Sequence, residues 1–198
     1  MKNIINVLSI LLLSLTIFSC AKKSNTSSTI ETTEVEGTWS AACYLATDNL
    51  SSTKRTITIS GTDVILKSEM HTDSSCNTDY LTWEDRYSSL SIGDSISFDS
   101  GATGHQYTVD VLSFTLIPQT TDLVSYLNDV SYCGNSDWAL DNATDYTGKT
   151  CGETAYDVKN TTYLSLYKLV GNNLFLSGFN STGTYPTLVS NSITFIKQ

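Results

Sequence analysis

The sequence predicts an all-β fold, an antiparallel barrel of about eight to ten short strands with one short helix; the alternative it leaves open is a β-sandwich. Three observations carry this. Apolar residues recur at every second position in stretch after stretch. Turn residues such as "GTD" at 61–63 and "GNN" at 171–173 separate these stretches at short intervals. The only prolines, Pro118 and Pro186, fall near the ends of alternating runs, where a missing N–H is tolerated.

The elements follow in order. Residues 54–60, "KRTITIS", alternate Ile57 and Ile59 with threonines, and 64–70, "VILKSEM", return after the Gly61 turn as a hairpin. Residues 107–117, "YTVDVLSFTLI", form the longest alternating run. It places Tyr107, Val109 and Val111 on one face and Leu112, Phe114 and Leu116 on the other, and either face is apolar enough to point inward. Residues 161–170 and 174–179 make a second hairpin around "GNN", and 188–197 read as a closing strand. Weaker strand signals lie at 38–45, 80–83, 87–92 and 95–99. One segment breaks the period: in 120–130, "TTDLVSYLNDV", Thr121 and Asp122 are start signals and Leu123, Val124 and Leu127 share a helical face.

Ahead of the strands, residues 1–19 have the basic start (Lys2) and apolar run (Ile4 to Phe18) of a secretory signal. Ile17-Phe18-Ser19-Cys20 resembles the lipobox of bacterial lipoproteins, which implies that Cys20 is lipidated, with palmitate-type acyl chains, and anchors the mature protein to a membrane. Ala21 stands where enteric lipoproteins kept in the inner membrane carry aspartate, so by that analogy the cell envelope location is the outer membrane. Residues 20–36 form the lipidated cysteine and a polar tether too poor in apolar groups to offset ordering entropy. The folded domain is 37–198. The signal holds one basic residue, Lys2, and no acid, so 11 basic side chains become 10 against 20 acidic ones. Such a chain lacks the basic stripe that a nucleic-acid partner requires.

With Cys20 set aside, Cys43, Cys76, Cys133 and Cys151 remain, an even number in an exported domain. Three pairings are possible; Cys43–Cys76 and Cys133–Cys151 are preferred because they join sequence neighbours. No two cysteines have the short spacing of a zinc site, and no metal or cofactor is expected.

Gly37-Thr38-Trp39, opening the first strand, resembles the Gly-x-Trp of lipocalins, where the tryptophan closes the floor of an eight-stranded barrel. Thr144-Asp145-Tyr146 resembles a second lipocalin motif. The family's late-strand arginine over that tryptophan is absent, since Arg55 and Arg86 are the only arginines; Lys168 and Lys197 are the cations left to replace it. Over residues 37–92 the cysteine pattern is similar to the lipocalin-like domain of extracellular Wnt-antagonist proteins, and to small bacterial lipoproteins with a Gly-Thr-Trp start.

Catalytic constellations are lacking. Gly93-Asp94-Ser95 resembles the nucleophile block of GDSL-type esterases, but no histidine follows His105 and the partner block is missing, so Gly93-Asp94 reads as a hairpin turn. His71 and His105 read as surface residues. Asp137, Asp141 and Asp145 recur every four residues, yet Ala143 and a missing glycine break the calcium-loop pattern. Eleven tyrosines, six phenylalanines and three tryptophans lie largely on predicted strands and suit a pocket with apolar walls and polar tips. The expectation is a non-enzymatic binding module for a small apolar or amphipathic ligand, with Tyr107, Val109, Val111, Tyr163 and Tyr167 as lining residues. The alternative is a structural or interaction lipoprotein at the cell surface.

Overall fold

The computed structural model describes residues 34–45, 51–97 and 103–198. The signal segment, Cys20, the tether to residue 33 and the strand end at 98–99 lie outside the described residues.

The first hairpin forms as its alternation predicts: β3 (Ser52–Ser60) and β4 (Asp63–His71) pair from Ser60↔Asp63 to Ser52↔His71 around Gly61, whose φ of +57° suits the tight turn. In front of it stand β1 (Gly37–Ala41) and β2 (Tyr44–Leu45), and both pair with β3. After it come β5 (Asp79–Ser97) and β6 (Thr103–Pro118). The helix α1 (Thr121–Asp129) and three short strands follow, β7 (Thr144–Asp145), β8 (Thr150–Cys151) and β9 (Thr154–Ala155). The chain then forms the hairpin of β10 (Thr162–Val170) and β11 (Asn173–Leu176) and ends in β12 (Phe195–Lys197).

Neighbours in sequence are neighbours in space: β3, β4, β5, β6, β10, β11, β12 and β1 pair antiparallel in that order, and β1 pairs back onto β3. This ring is an eight-stranded closed barrel with extra strands, which decides between barrel and sandwich. Trp39, opposite Ile57 of β3, is fully buried, and its Nε1 donates to the Val35 carbonyl (2.7 Å). Lys197 lies over the Trp39 ring, Nζ 5.1 Å from its centre, while Lys168 lies over Phe175. Of the two lysines, Lys197 therefore takes the place beside the tryptophan. The folded part begins before Gly37: Val35 is buried, and the Tyr167 hydroxyl donates to Glu34 Oε1 (2.9 Å).

Several expectations are corrected. The weak strand signals from 80 onward belong to one strand, β5, kept continuous across register shifts after Ser88 and after Ile92. Gly93-Asp94 is therefore a bulge within β5 and not a hairpin turn. On β6 the register passes from Tyr87↔Val111 to Arg86↔Ser113, so Leu112 is an extra residue. That bulge reverses the alternation. Phe114 and Leu116 turn into the core with Tyr107, Val109 and Val111, and Leu112 alone is left exposed. The two competing faces are both inward, one on each side of the bulge.

The closing strand is much shorter than residues 188–197. Serine hydroxyls in that segment bond locally, where Ser190 Oγ accepts from the Ser192 amide and meets the Ser192 hydroxyl (2.6 Å), and these bonds compete with a ladder. The helix is capped by Thr120, Oγ1 accepting from the Leu123 amide, one residue before the expected start; Leu123 and Leu127 are buried and Val124 half-buried. His71 is buried, not at the surface, with Nδ1 3.1 Å from Asp79 Oδ1, whereas His105 is half-buried and stacked on Tyr167.

The disulfides are Cys43–Cys76 and Cys133–Cys151. The first fastens the break between β1 and β2 to the β4–β5 loop. Asp73 organises that loop by accepting from the amides of Ser75 and Asn77, and these bonds hold its carboxyl below the ordinary range. The second ties the turn after α1 to β8, within the insertion between β6 and β10.

Candidate functional site

Inward alternation gives the barrel two unlike halves. On β3, Thr53, Arg55, Ile57 and Ile59 share the inward face, and the register sets Met70, Ser68, Leu66 and Val64 of β4 opposite them. The half nearer Trp39 receives the aliphatic members of these pairs. With Leu90, Tyr107, Tyr167 and Leu174 they surround a void of only about 40 Å³. A void of that size with apolar walls is packing space with no room for an alkyl chain.

The other half is hollow. A cavity of about 490 Å³ lies among the barrel-facing residues at the far ends of β3, β4 and β5 and the start of β10, and opens beside the exposed Ser181. Its aromatic wall runs as a chain of ring contacts: Tyr156 to Tyr146 (4.6 Å), Tyr146 to Phe114 (6.1 Å), Phe114 to Tyr87 (6.2 Å), Tyr87 to Phe179 (4.9 Å) and Phe179 to Tyr163 (5.2 Å). Trp83 completes the lining from β5. Two strokes of chain geometry build this wall. The Leu112 bulge aims Phe114 inward, and the insertion carries Tyr146 and Tyr156 over the rim, held by the Tyr146 amide donating to the Phe114 carbonyl (2.9 Å).

Three charged groups face the same space: Arg55 from β3, Asp85 from β5 and Asp157 from the insertion. Asp157 Oδ2 accepts from the Tyr163 hydroxyl (2.6 Å). Burial pushes the Asp85 carboxyl up to about 6, while the Arg55 charge pulls it down, Glu84 raises it and Tyr87 lowers it. Burial, with the Asp85 charge second, also drives the Tyr87 hydroxyl far above its usual range. Tyr163 moves upward from burial first and its bond to Asp157 next. Arg55 Nε is buried and has no hydrogen-bond acceptor. Arg55 also borders a second, smaller cavity of about 290 Å³, walled by Leu66, Leu176, Phe179 and Phe195, so its guanidinium stands where the two spaces adjoin.

The sequence-predicted lining residues separate. Tyr163 faces the large cavity. Tyr107 and Tyr167 face the small apolar void, and burial pushes the Tyr107 hydroxyl up to about 12. Val109 and Val111 are wholly buried and line neither. Asp137 and Asp141 are exposed, and Asp145 accepts from the amide and hydroxyl of Thr147. Among the described residues no group of three or more His, Cys, Asp or Glu side chains is placed to hold a metal ion.

No protein-family model matches the chain, and no curated protein matches it. The site must therefore be read from its own chemistry. Arg55, Asp85, Tyr87, Tyr146, Tyr156, Asp157 and Phe179 were not anticipated as site residues. For two of them a signal existed: Arg55 shares an alternating face with Ile57 and Ile59, and Asp85 shares one with Trp83 and Tyr87. A charge placed on a core-facing position is a marker for function.

Proposed function

We propose that this protein is a membrane-anchored envelope lipoprotein whose barrel binds a small amphipathic ligand. The observation that carries the binding role is the open cavity of about 490 Å³ above a packed apolar floor, lined by aromatic rings and by unlike charges. A structural barrel has no need of an interior that holds Arg55 and Asp85 apart from apolar packing. The closed floor favours a compact ligand over a long alkyl chain. Trp39 under Lys197 supports the lipocalin-like reading that Gly37-Thr38-Trp39 suggested. Native mass spectrometry of the protein purified from its own host tests the role. An added small-molecule mass, lost on denaturation, is expected; a ligand-free mass together with no heat on titration with amphiphiles would leave the interaction-protein reading ahead.

Anchoring through Cys20 belongs to the same proposal. Several acyl chains at about 0.8 kcal/mol per buried CH₂ hold a protein on a bilayer. Metabolic labelling with a fatty-acid analogue should mark the wild type and not Cys20→Ser; equal labelling of both would refute lipidation.

A further inference from the structure

Arg55 and Asp85 lie on the same inner surface two strands apart: Arg55 pairs with Ser68, Ser68 with Trp83, and Asp85 follows on the Trp83 face. They feel each other's charge without touching. Among the described residues Lys67 pairs with Glu69 and Arg86 with Glu84, and His71 and His105 lie beside Asp79 and Glu34; neither Arg55 nor Asp85 takes part in such a contact. A guanidinium donor buried without an acceptor is unfavourable, as is a carboxylate taken from water without a cation in contact. Both deficits face one cavity, and between them stand rings whose faces attract cations.

We propose that the cavity takes a small zwitterion with an aromatic or apolar body, its ammonium end held between Asp85 and Asp157 against the aromatic wall and its anionic end held by Arg55. This rests on the reading of the barrel as a binding module and adds the class of ligand. A ligand of one charge answers only part of the site. A lone cation leaves the Arg55 Nε without an acceptor and adds a like charge near it; a lone anion leaves Asp85 without a cation and stands close to two carboxylates. An uncharged ligand buries all three groups further. Only a ligand carrying both signs gives the Arg55 Nε an acceptor and Asp85 a cation at once, with Asp157, which already accepts from the Tyr163 hydroxyl, adding a second carboxylate, and the low dielectric of a half-enclosed site sharpens that preference. The remaining aromatic surface gives the body area to cover without requiring one shape.

Calorimetric titration of the full-length protein in detergent with three probes that share an indole body separates the possibilities: tryptophan (both charges), tryptamine (cation only) and indole-3-propionate (anion only). Tryptophan is expected to bind at least about tenfold more tightly than either singly charged probe. Arg55→Met should remove its advantage over tryptamine, and Asp85→Asn should shrink its advantage over indole-3-propionate. Arg55→Lys, which keeps the charge and loses the planar fork, should retain part of the preference and guards against a variant that merely fails to fold. Equal or tighter binding of tryptamine or indole-3-propionate would overturn the zwitterion while leaving the binding module standing. Absence of binding by all three indoles, with amphiphiles still bound, would have the same meaning. Absence of any binding would overturn both.

Discussion

Asp85 stands on the barrel-facing side of β5, where burial lifts its carboxyl to about 6 against the pull of Arg55. Because that value lies above the ordinary 3.8, folding favours the protonated form. The stability this contributes is fully present below about pH 3.8 and is lost as the pH rises through 6. Asp85→Asn, which cannot ionise, should therefore be more stable than wild type above that range, by up to about 3 kcal/mol, and should lose the decline between acid and neutral pH. Urea unfolding at acid and at mildly alkaline pH measures this; a variant that tracks the wild-type profile would remove Asp85 as the cause. The same substitution is expected to weaken ligand binding. Stability and function then pull in opposite directions at one residue, as is common where a site keeps a group the fold alone would discard. Trp39 is the contrasting case. It is buried with its indole N–H satisfied, so Trp39→Ala should cost about 3–5 kcal/mol by thermal or urea unfolding while leaving the cavity residues in place.

Leu112 sets the behaviour of β6. Below it the strand pairs with β10, from Gly104 to Asp110; above it the strand pairs with β7, at Thr115 and Leu116. The inserted residue lets one strand serve two partners and keeps its inward face continuous. Leu112 itself is 37 % exposed, so Leu112→Ser should change stability by no more than about 0.5 kcal/mol. Deleting Leu112 is a different operation. It makes Val111 and Ser113 adjacent opposite Tyr87 and Arg86, which restores strict alternation and keeps Phe114 and Leu116 inward while removing the bend. A cooperative unfolding transition is expected to survive the deletion, because the buried face is unchanged; its loss would show that the ring needs the bend of the bulge as well as the phase. The helix offers a smaller test: Thr120→Ala removes the Leu123 amide acceptor and should cost about 1 kcal/mol.

The two disulfides act on the molecule in different places. Each should contribute about 3–4 kcal/mol by restricting the unfolded chain, somewhat more for the longer Cys43–Cys76 loop. Their effects on binding should differ. Cys133–Cys151 braces the insertion that holds Tyr146, Tyr156 and Asp157 over the cavity. The double substitution Cys133→Ser, Cys151→Ser should lower both the melting temperature and ligand affinity. Cys43→Ser, Cys76→Ser should lower the melting temperature with less effect on affinity. Calorimetric scanning and titration of the two variants check this, and equal loss of affinity in both would deny the insertion its role as a wall.

Much of the architecture is local and was legible from residue order alone. The β3–β4 and β10–β11 hairpins follow from alternation around glycine-bearing turns, because a two-residue period and a tight turn suffice to define a hairpin. The cysteine pairs follow from the preference of a chain for closing short loops. The proposed export and lipidation at Cys20 rest on the sequence alone, in residues outside the described ones. The bulge at Leu112 has no composition that marks it, and Gly93-Asp94 within β5 reads equally as a turn; both bulges exist because barrel closure requires strands to bend and to change partners, which is a property of the assembled ring. The cavity depends on them. Alternation leaves either face of residues 107–117 free to point inward, the bulge turns both inward in succession, and which part is packed and which is hollow depends on what arrives from across the barrel. Only the tertiary structure brings Arg55, Asp85 and Asp157 from three distant segments to one space, because their meeting is fixed by register between strands and by the path of an insertion, neither of which is written in the neighbours of those residues along the chain.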